Sequence, residues 1–167
     1  MLRVILESPF SAPDAVGIER NVRYARACLR DSLLRGEAPL ASHLLYTQPG
    51  VLNDSIPTQR DMGIEAGLAW GVGADATVVY LDRGCSGGMA LGIRQARAEY
   101  RNVIYRRLWP SVQIDGVTTD DPFDHFESES DRHARGDTPE YRNLRALAEF
   151  ELSEAEFDRL CPAPEAL

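Results

Sequence analysis

Short aliphatic runs and helical patterns alternate along the first two-thirds of the chain. The runs predict four strands, at residues 2–6, 39–45, 76–81 and 102–106. Between them, apolar residues recur at steps of three and four and predict helices at residues 14–36, 58–70 and 89–99. Strands that alternate with helices usually pair in parallel. The order therefore predicts an α/β fold, a flavodoxin- or Rossmann-like parallel sheet of about four to five strands with flanking helices.

Capping residues support the predicted ends of the first helix, and two glycines are unexpected within the second. Asp14 stands where an N-cap belongs, and Gly36 stands where a helix usually ends. The second helix contains Gly63 and Gly67, each of which costs about 1 kcal/mol of helix stability against alanine. We interpret these glycines as points where another backbone or a ligand comes close.

The pattern changes after residue 109. Residues 115–137 are acidic, contain few large apolar residues and predict a loop. Two helical pieces follow, one near Thr138 and one beginning with the capping box at Ser153 and Glu156. The sequence thus predicts an α/β domain over residues 1–109 and an acidic loop with a helical C-terminal extension over residues 110–167.

Charge follows the same division. Residues 1–109 carry 13 Arg against 11 acidic residues, whereas residues 110–167 carry 5 Arg against 15, which together give the net charge of −8. This acidic balance argues against binding to duplex nucleic acid, which needs a basic surface. The chain contains no Lys, so Arg is its permanent cation for gripping a phosphate.

Other sequence signals narrow the class of protein. No apolar run approaches the roughly 18 residues that span a bilayer, and the start does not resemble a signal peptide. We therefore expect a cytoplasmic protein with no membrane partner. The three cysteines form no CxxC pair, which argues against a disulfide framework and a structural zinc site. We expect neither a metal nor a cofactor.

The glycine-rich stretch at residues 84–88 is the most informative candidate for chemistry. It lies between a predicted strand and a predicted helix, where ligands of parallel sheets bind. Free backbone N–H groups and the helix dipole make such a turn a suitable cradle for an anion, and the Ser86 hydroxyl adds a donor. Its spacing matches neither the P-loop nor the dinucleotide fingerprint. The alternative is that these glycines only permit a tight turn.

The chain also resembles a known family over residues 2–108. The residues that carry the match are VILESPF, ERNVRYARACLRDSLLRGEAPLASHLLYTQPGVL, RDMGIEAGLAW and ADATVVYLDRGCSGGMALGI. They resemble the nucleoside 2-deoxyribosyltransferase-like family, and within it a branch common in phage and actinobacterial genomes. The resemblance implies a nucleotide-like ligand and a homo-oligomer.

One difference from that family concerns its nucleophile. In the family, a Glu in a Glu-hydrophobic-Gly triplet attacks the anomeric carbon of the sugar, as in retaining glycosidases. The matching triplet in this chain is Ala90-Leu91-Gly92, so the nucleophile is missing. We therefore expect a protein that binds a nucleotide or a nucleotide-derived small molecule without turning it over. The alternative is an N-glycosidic-bond hydrolase or transferase for (deoxy)nucleoside monophosphates with a rearranged set of carboxylates.

The candidate site residues lie mostly in the loops that follow the predicted strands. The candidate catalytic acids are Glu7, Asp61 and Asp82. The candidate ligand contacts are Ser8, Pro9, Phe10, Arg20, His43, Glu65, Gly84, Ser86, Gly87, Gly88 and Met89. Structural alternatives remain open: Glu7 could pair with an Arg such as Arg20, Glu65 and Arg20 could lie on solvated helix faces, and His43 could be structural.

Overall fold

A computed structural model describes residues 1–108 and 149–161 of the 167-residue chain. The strands are β1 (Leu2–Glu7), β2 (Glu37–Leu40), β3 (Ala76–Tyr80), β4 (Asn102–Arg106) and β5 (Glu149–Phe150). The helices are α1 (Ala15–Leu34), α2 (Ser42–Tyr46), α3 (Pro57–Gly71), α4 (Gly87–Ala98) and α5 (Glu154–Leu160). None of these helices in the described part of the chain has the length and apolar character needed to cross a membrane.

The strands form one sheet in the order β2-β1-β3-β4-β5. The first four are parallel, with Val4 opposite Ala76 and Ala76 opposite Asn102, which confirms the predicted α/β fold. The chain builds β2 on one side of β1 and then crosses to build β3 on the other. Ligands of open parallel sheets bind beyond the carboxyl ends of the strands at such a reversal of order.

The sheet carries a separate apolar cluster on each face. On one face, Val4 and Leu6 pack with Tyr24 of α1. On the other, Val79 packs with Ile93 of α4 and Phe157 of α5. All five residues of β3 are buried, as expected for a central strand covered on both sides.

The second predicted strand is only partly right. The strand spans Glu37–Leu40, and the rest of the predicted run belongs to the short helix α2. The amides of Leu44 and Leu45 both donate to the carbonyl of Ala41, at 3.0 and 3.1 Å, which closes a helical turn. A short apolar run fits a strand and a buried helix equally well, so the pattern could not separate them.

Part of the C-terminal extension packs onto the α/β domain. Strand β5 pairs antiparallel with β4, with Tyr105 opposite Phe150. Helix α5 begins with the predicted capping box, in which the Ser153 hydroxyl accepts from the Glu156 amide. The acidic segment 115–137 and the helix predicted near Thr138 lie outside the described residues.

The expectation that the cysteines form no disulfide is wrong. Cys85 and Cys161 are joined by a disulfide, with their Cα atoms 5.1 Å apart. They are 76 residues apart in sequence and meet because the C-terminal segment packs beside the turn before α4. Spacing along the chain gives no sign of such a long-range pair. Cys28 is a free, buried cysteine.

Candidate functional site

A narrow cavity of about 100 Å³ opens at the carboxyl end of β1. It lies between the sheet and the helices α3 and α4. Polar groups form its deep part. They are the side chains of Glu7, Ser8, Ser42, His43 and Arg101.

Glycines at steps of four bring the two helices close to these polar side chains. On α3 they are Gly63, Gly67 and Gly71, and on α4 they are Gly88 and Gly92. A Cβ at Gly67 would lie 2.6 Å from the hydroxyl of Ser42, and one at Gly71 would lie 2.7 Å from the Arg101 guanidinium. The close approach that we inferred from the glycines of the second helix is therefore present at Gly67.

Glu7 is the central group of the cavity. It leaves β1 towards α4, where a Cβ on Gly92 would lie 2.2 Å from its Oε1 atom. No group in the described part of the chain donates a hydrogen bond to its carboxyl. Burial raises the pKa of Glu7 to about 8, although the nearby charge of Arg101 acts in the opposite direction. Near neutral pH, Glu7 is thus an uncharged carboxylic acid that can both donate and accept.

Ser8 and His43 form a hydrogen-bonded pair beside Glu7. The Ser8 Oγ lies 2.9 Å from His43 Nε2, and Ser8 itself is buried. The ring of Phe10 meets the His43 ring edge-on, with 6.4 Å between centroids. Burial lowers the pKa of His43 to about 4, so its imidazole is neutral near pH 7. Three adjacent side chains therefore offer hydrogen bonds without a full charge.

Arg101 supplies a cation that is already held in place. Its Nε donates to Thr77 Oγ1 at 2.9 Å, and its Nη1 donates to the carbonyl of Gly71 at 2.5 Å. The same Nη1 lies 2.6 Å from a carboxylate oxygen of Glu99. These partners fix the guanidinium in the lining of the cavity, where its positive charge acts to lower the pKa of Glu7.

The cavity opens into a shallower groove of about 700 Å³. Arg60 lines both, forms an ion pair with Asp54 and lies near Gly88 at the start of α4. The Ser86 hydroxyl caps α4 by accepting from the Met89 amide at 3.3 Å. A guanidinium and the positive end of a helix dipole thus meet at the rim of the cavity.

The structure brings seven of the fourteen predicted site residues to the cavity. These are Glu7, Ser8, Phe10, His43, Ser86, Gly88 and Met89. Among the others, Pro9 is buried, whereas Gly84 and Gly87 are exposed in the turn. Gly84 has a φ of 80°, which explains the glycine there by backbone conformation.

Four predicted polar contacts lie away from the cavity. Asp61 and Glu65 are exposed on α3, which turns Arg60 and Ile64 towards the cavity instead. Arg20 lies on the exposed surface of α1. Asp82 accepts from the Tyr24 hydroxyl at 2.6 Å and from the amide of Leu108 at 3.0 Å. Its carboxylate therefore lies on the α1 side of the sheet.

The alanine matched to the family nucleophile also lies outside the cavity lining. Ala90 is fully buried in the apolar cluster of Val79 and Ile93. The residues of α4 that line the cavity are Gly88, Met89 and Gly92. The carboxyl group of this cavity therefore comes from β1, not from α4.

Arg60, Arg101 and Gly92 line the cavity but were not predicted from the sequence. The four-residue spacing of glycines on α3 and α4 was the available signal for Gly92. Arg101 precedes β4 and resembles other Arg residues in the sequence, so nothing distinguished it. The described residues contain no group of three or more His, Cys, Asp or Glu that could hold a metal ion.

Comparison with known proteins places this site within one family. A family model described as a domain of unknown function, DUF7768, matches residues 2–106, from β1 to the end of β4. Neither the curated proteins nor the solved structures include a match to the chain. Because the matched region covers more than half of the sequence, the chain belongs to the DUF7768 family.

Proposed function

We propose that this protein binds a nucleotide or a nucleotide-derived small molecule in the Glu7 cavity and does not turn it over. The observation that carries the proposal is the carboxyl group of Glu7, which lines the cavity, is half-buried and has no hydrogen-bond partner among the described residues. A buried polar group without a partner is costly, and such groups cluster at functional sites. A ligand that hydrogen-bonds to Glu7 would remove that cost.

The distribution of charge favours a ligand with an uncharged polar part and an anionic part. Glu7, Ser8 and His43 are neutral hydrogen-bonding groups in the deep cavity, suited to sugar hydroxyls or to the edge of a base. At the rim, Arg60 and the start of α4 suit a phosphate. A nucleotide combines these parts in one molecule.

The volumes support the same arrangement. Sites for small molecules commonly measure roughly 300–1,000 Å³. The deep cavity of about 100 Å³ is smaller than that range, so it encloses only one ring or its substituents. The adjoining groove of about 700 Å³ accommodates the remainder of the ligand.

The carboxylates favour binding over catalysis. Glycosidic hydrolysis commonly uses two carboxyl groups, one on each side of the scissile bond. The other acidic side chain that lines this cavity, Asp54, is paired with Arg60. The candidate acids Asp61 and Asp82 do not line it.

Calorimetric titration with the four deoxynucleoside monophosphates tests this proposal. We expect wild type to bind at least one of them, and Glu7→Ala to weaken that binding on the order of tenfold or more, since a buried hydrogen-bonded group is lost. Glu65→Gln is the matched control, because it changes an exposed acid on α3 and should bind as wild type does. The bound ligand should be recovered intact after denaturation. Equal affinity of Glu7→Ala and wild type would contradict the proposal.

The raised pKa of Glu7 favours a second function, hydrolysis of an N-glycosidic bond. An acid that is protonated near neutral pH can transfer its proton to the departing base while water attacks the anomeric carbon. Chromatographic detection of free base separates the two functions. Base release that Glu7→Gln abolishes would establish the hydrolase and exclude simple binding.

A further inference from the structure

The Cys85–Cys161 disulfide connects the rim of the cavity to the C-terminal segment. Cys85 lies in the glycine-rich turn and directly precedes Ser86, which lines the cavity and caps α4. Cys161 directly follows α5. One covalent bond thus joins an element of the candidate site to the last described element of the chain.

Within residues 1–108 and 149–161, few other contacts hold α5 in place. Phe157 is its one buried side chain. The ring of Phe157 lies under the guanidinium of Arg97, 4.2 Å from the ring centroid, and 5.5 Å from that of Arg94. Arg94 also donates to the carbonyl of Cys161 at 3.1 Å. A seven-residue helix with so small an apolar contact depends strongly on its covalent tether.

The hydrogen bonds of the turn on the other side of the disulfide are local, from the Gly84 amide to the Leu81 carbonyl at 3.1 Å and from the Met89 amide to the Ser86 hydroxyl at 3.3 Å. The turn contains Gly84, Gly87 and Gly88, of which Gly84 and Gly87 are exposed. Glycines leave the backbone many conformations in the absence of a restraint. The tether at Cys85 therefore restrains the segment that presents Ser86 and the start of α4 to a ligand.

We propose that the Cys85–Cys161 disulfide is a redox switch that sets the order of the cavity rim. In the oxidised protein, α5 is fixed against the turn and the rim is rigid. In the reduced protein, α5 separates from α4 and the turn at residues 84–88 gains conformational freedom. The consequence for ligand affinity rests on the proposed function, whereas the change in order does not.

A cellular dithiol reductant supplies the two electrons that reduce the disulfide. One of its thiolates attacks the Cys85 sulfur, which is partly accessible, whereas Cys161 is fully buried. The disulfide bond breaks, and Cys161 leaves as a thiolate and takes up a proton. The second thiol of the reductant then displaces Cys85 as a thiol. Two electrons and two protons pass to the protein, and the reductant becomes a disulfide.

The remaining cysteine does not take part in this exchange. Cys28 is fully buried in the apolar cluster on the α1 face, whereas the disulfide lies on the α4 face. Disulfides that form in reducing compartments are usually transient or redox-sensing. A disulfide beside a candidate binding site suits a redox-sensing role better than a disulfide within the core does.

Hydrogen exchange followed by mass spectrometry tests the switch on the full chain. The amide exchange of oxidised wild type is compared with that of wild type reduced by dithiothreitol. Alkylation under denaturing conditions first verifies the two states, with one free thiol in the oxidised protein and three in the reduced protein. We expect amide exchange at residues 84–88 and 154–160 to rise on the order of tenfold on reduction, with β3 unchanged.

Three variants and one ligand probe define the outcomes. Cys161→Ser and Cys85→Ser should exchange as reduced wild type does under both conditions, whereas Cys28→Ala should respond as wild type does. Binding of deoxyadenosine monophosphate should weaken on reduction. Identical exchange in both redox states, or three free thiols after treatment with an oxidant, would overturn the switch. A change in exchange without nucleotide binding in either state would uphold the switch and count against the proposed function.

Discussion

Two glutamates, the buried Glu37 and the half-buried Glu7, lie on opposite faces of the same sheet and have opposite surroundings. On the α1 face, Glu37 accepts from both terminal nitrogens of Arg106, at 2.7 and 2.8 Å, and from the Ser32 hydroxyl at 2.6 Å. Burial alone would raise the pKa of Glu37, but these hydrogen bonds lower it below its ordinary value. On the α4 face, Glu7 has no such partner among the described residues, and burial raises its pKa to about 8.

The two faces of the sheet thus differ in whether their acidic side chains have hydrogen-bond partners within the fold. On the α1 face the buried acids are paired, since Asp31 accepts from the Tyr80 hydroxyl at 2.7 Å just as Glu37 accepts from Arg106. A polar group that is fully satisfied stabilises one arrangement of the core. The hydrogen-bonding capacity of the Glu7 carboxyl, by contrast, is not used by any group in the described part of the chain.

The largest expected effect comes from removing the cation on the paired face. Arg106→Met leaves the Glu37 carboxylate buried without its ion pair, which should lower the free energy of unfolding by about 3–5 kcal/mol. Urea denaturation measures the change. Glu37→Gln added to Arg106→Met should restore part of the loss, because the unpaired charge is then removed.

Arg3→Ala is the control for that experiment. It breaks the exposed ion pair with Asp75 and should leave the urea midpoint close to that of wild type. If Arg106→Met were as stable as wild type, the contrast between the two faces would lose its basis.

An intermediate effect is expected from crowding the unpaired face. Gly92→Ala places a Cβ 2.2 Å from the Glu7 Oε1 atom, so the carboxyl must move, at a cost of about 1–3 kcal/mol in unfolding free energy. Gly73→Ala is the matched control, since the nearest atom to its Cβ would be 4.0 Å away. In a Glu7→Ala background the cost of Gly92→Ala should decrease, and an undiminished cost would place the crowding elsewhere.

Counted per unit of pH, the smallest effect concerns the ionisation of Glu7. Its folded pKa of about 8 exceeds the ordinary value of 4.5, so the folded state holds a proton that the unfolded state has released between these values. Wild type should therefore lose stability relative to Glu7→Gln as the pH rises from about 4.5 to 8, by up to about 1.4 kcal/mol per pH unit.

Urea titrations of both proteins at several pH values measure this difference. His43, with a pKa lowered by burial to about 4, gives a slope of opposite sign between about pH 4 and its ordinary pKa of 6.5. That contribution is common to both proteins and cancels in the comparison. A difference that does not vary with pH would show that Glu7 ionises normally.

The sequence predicted the sheet well and the site in part. The hydrophobic pattern and the length of each apolar run identified β1, β3 and β4, because buried parallel strands are short apolar runs with clear boundaries. The same signals could not identify α2, because a short apolar run suits either element. Glu7 was a candidate because it ends a strand at the ligand-binding edge. Its lack of a partner was not predictable, since Arg20 was an equally plausible neighbour until the structure placed it on the surface.

Contacts between distant parts of the chain decide the features that the sequence does not predict. Asp82 follows β3 as Glu7 ends β1, yet one turns towards Tyr24 and the other towards Gly92. Adjacent residues of a strand face opposite sides of the sheet. The face on which an acidic side chain lies therefore changes if its position in the strand shifts by one residue. The Cys85–Cys161 pair depends on where a separate segment docks.

The antiparallel strand β5 has a consequence for the behaviour of the protein in solution. Edge strands offer unpaired N–H and C=O groups to other chains, and proteins often block them. In the described sheet, β2 forms one edge and contains Pro39, which has no N–H to donate. At the opposite side, β5 covers β4. A chain truncated before Glu149 would therefore expose β4 as an open edge and would favour association of chains through that edge.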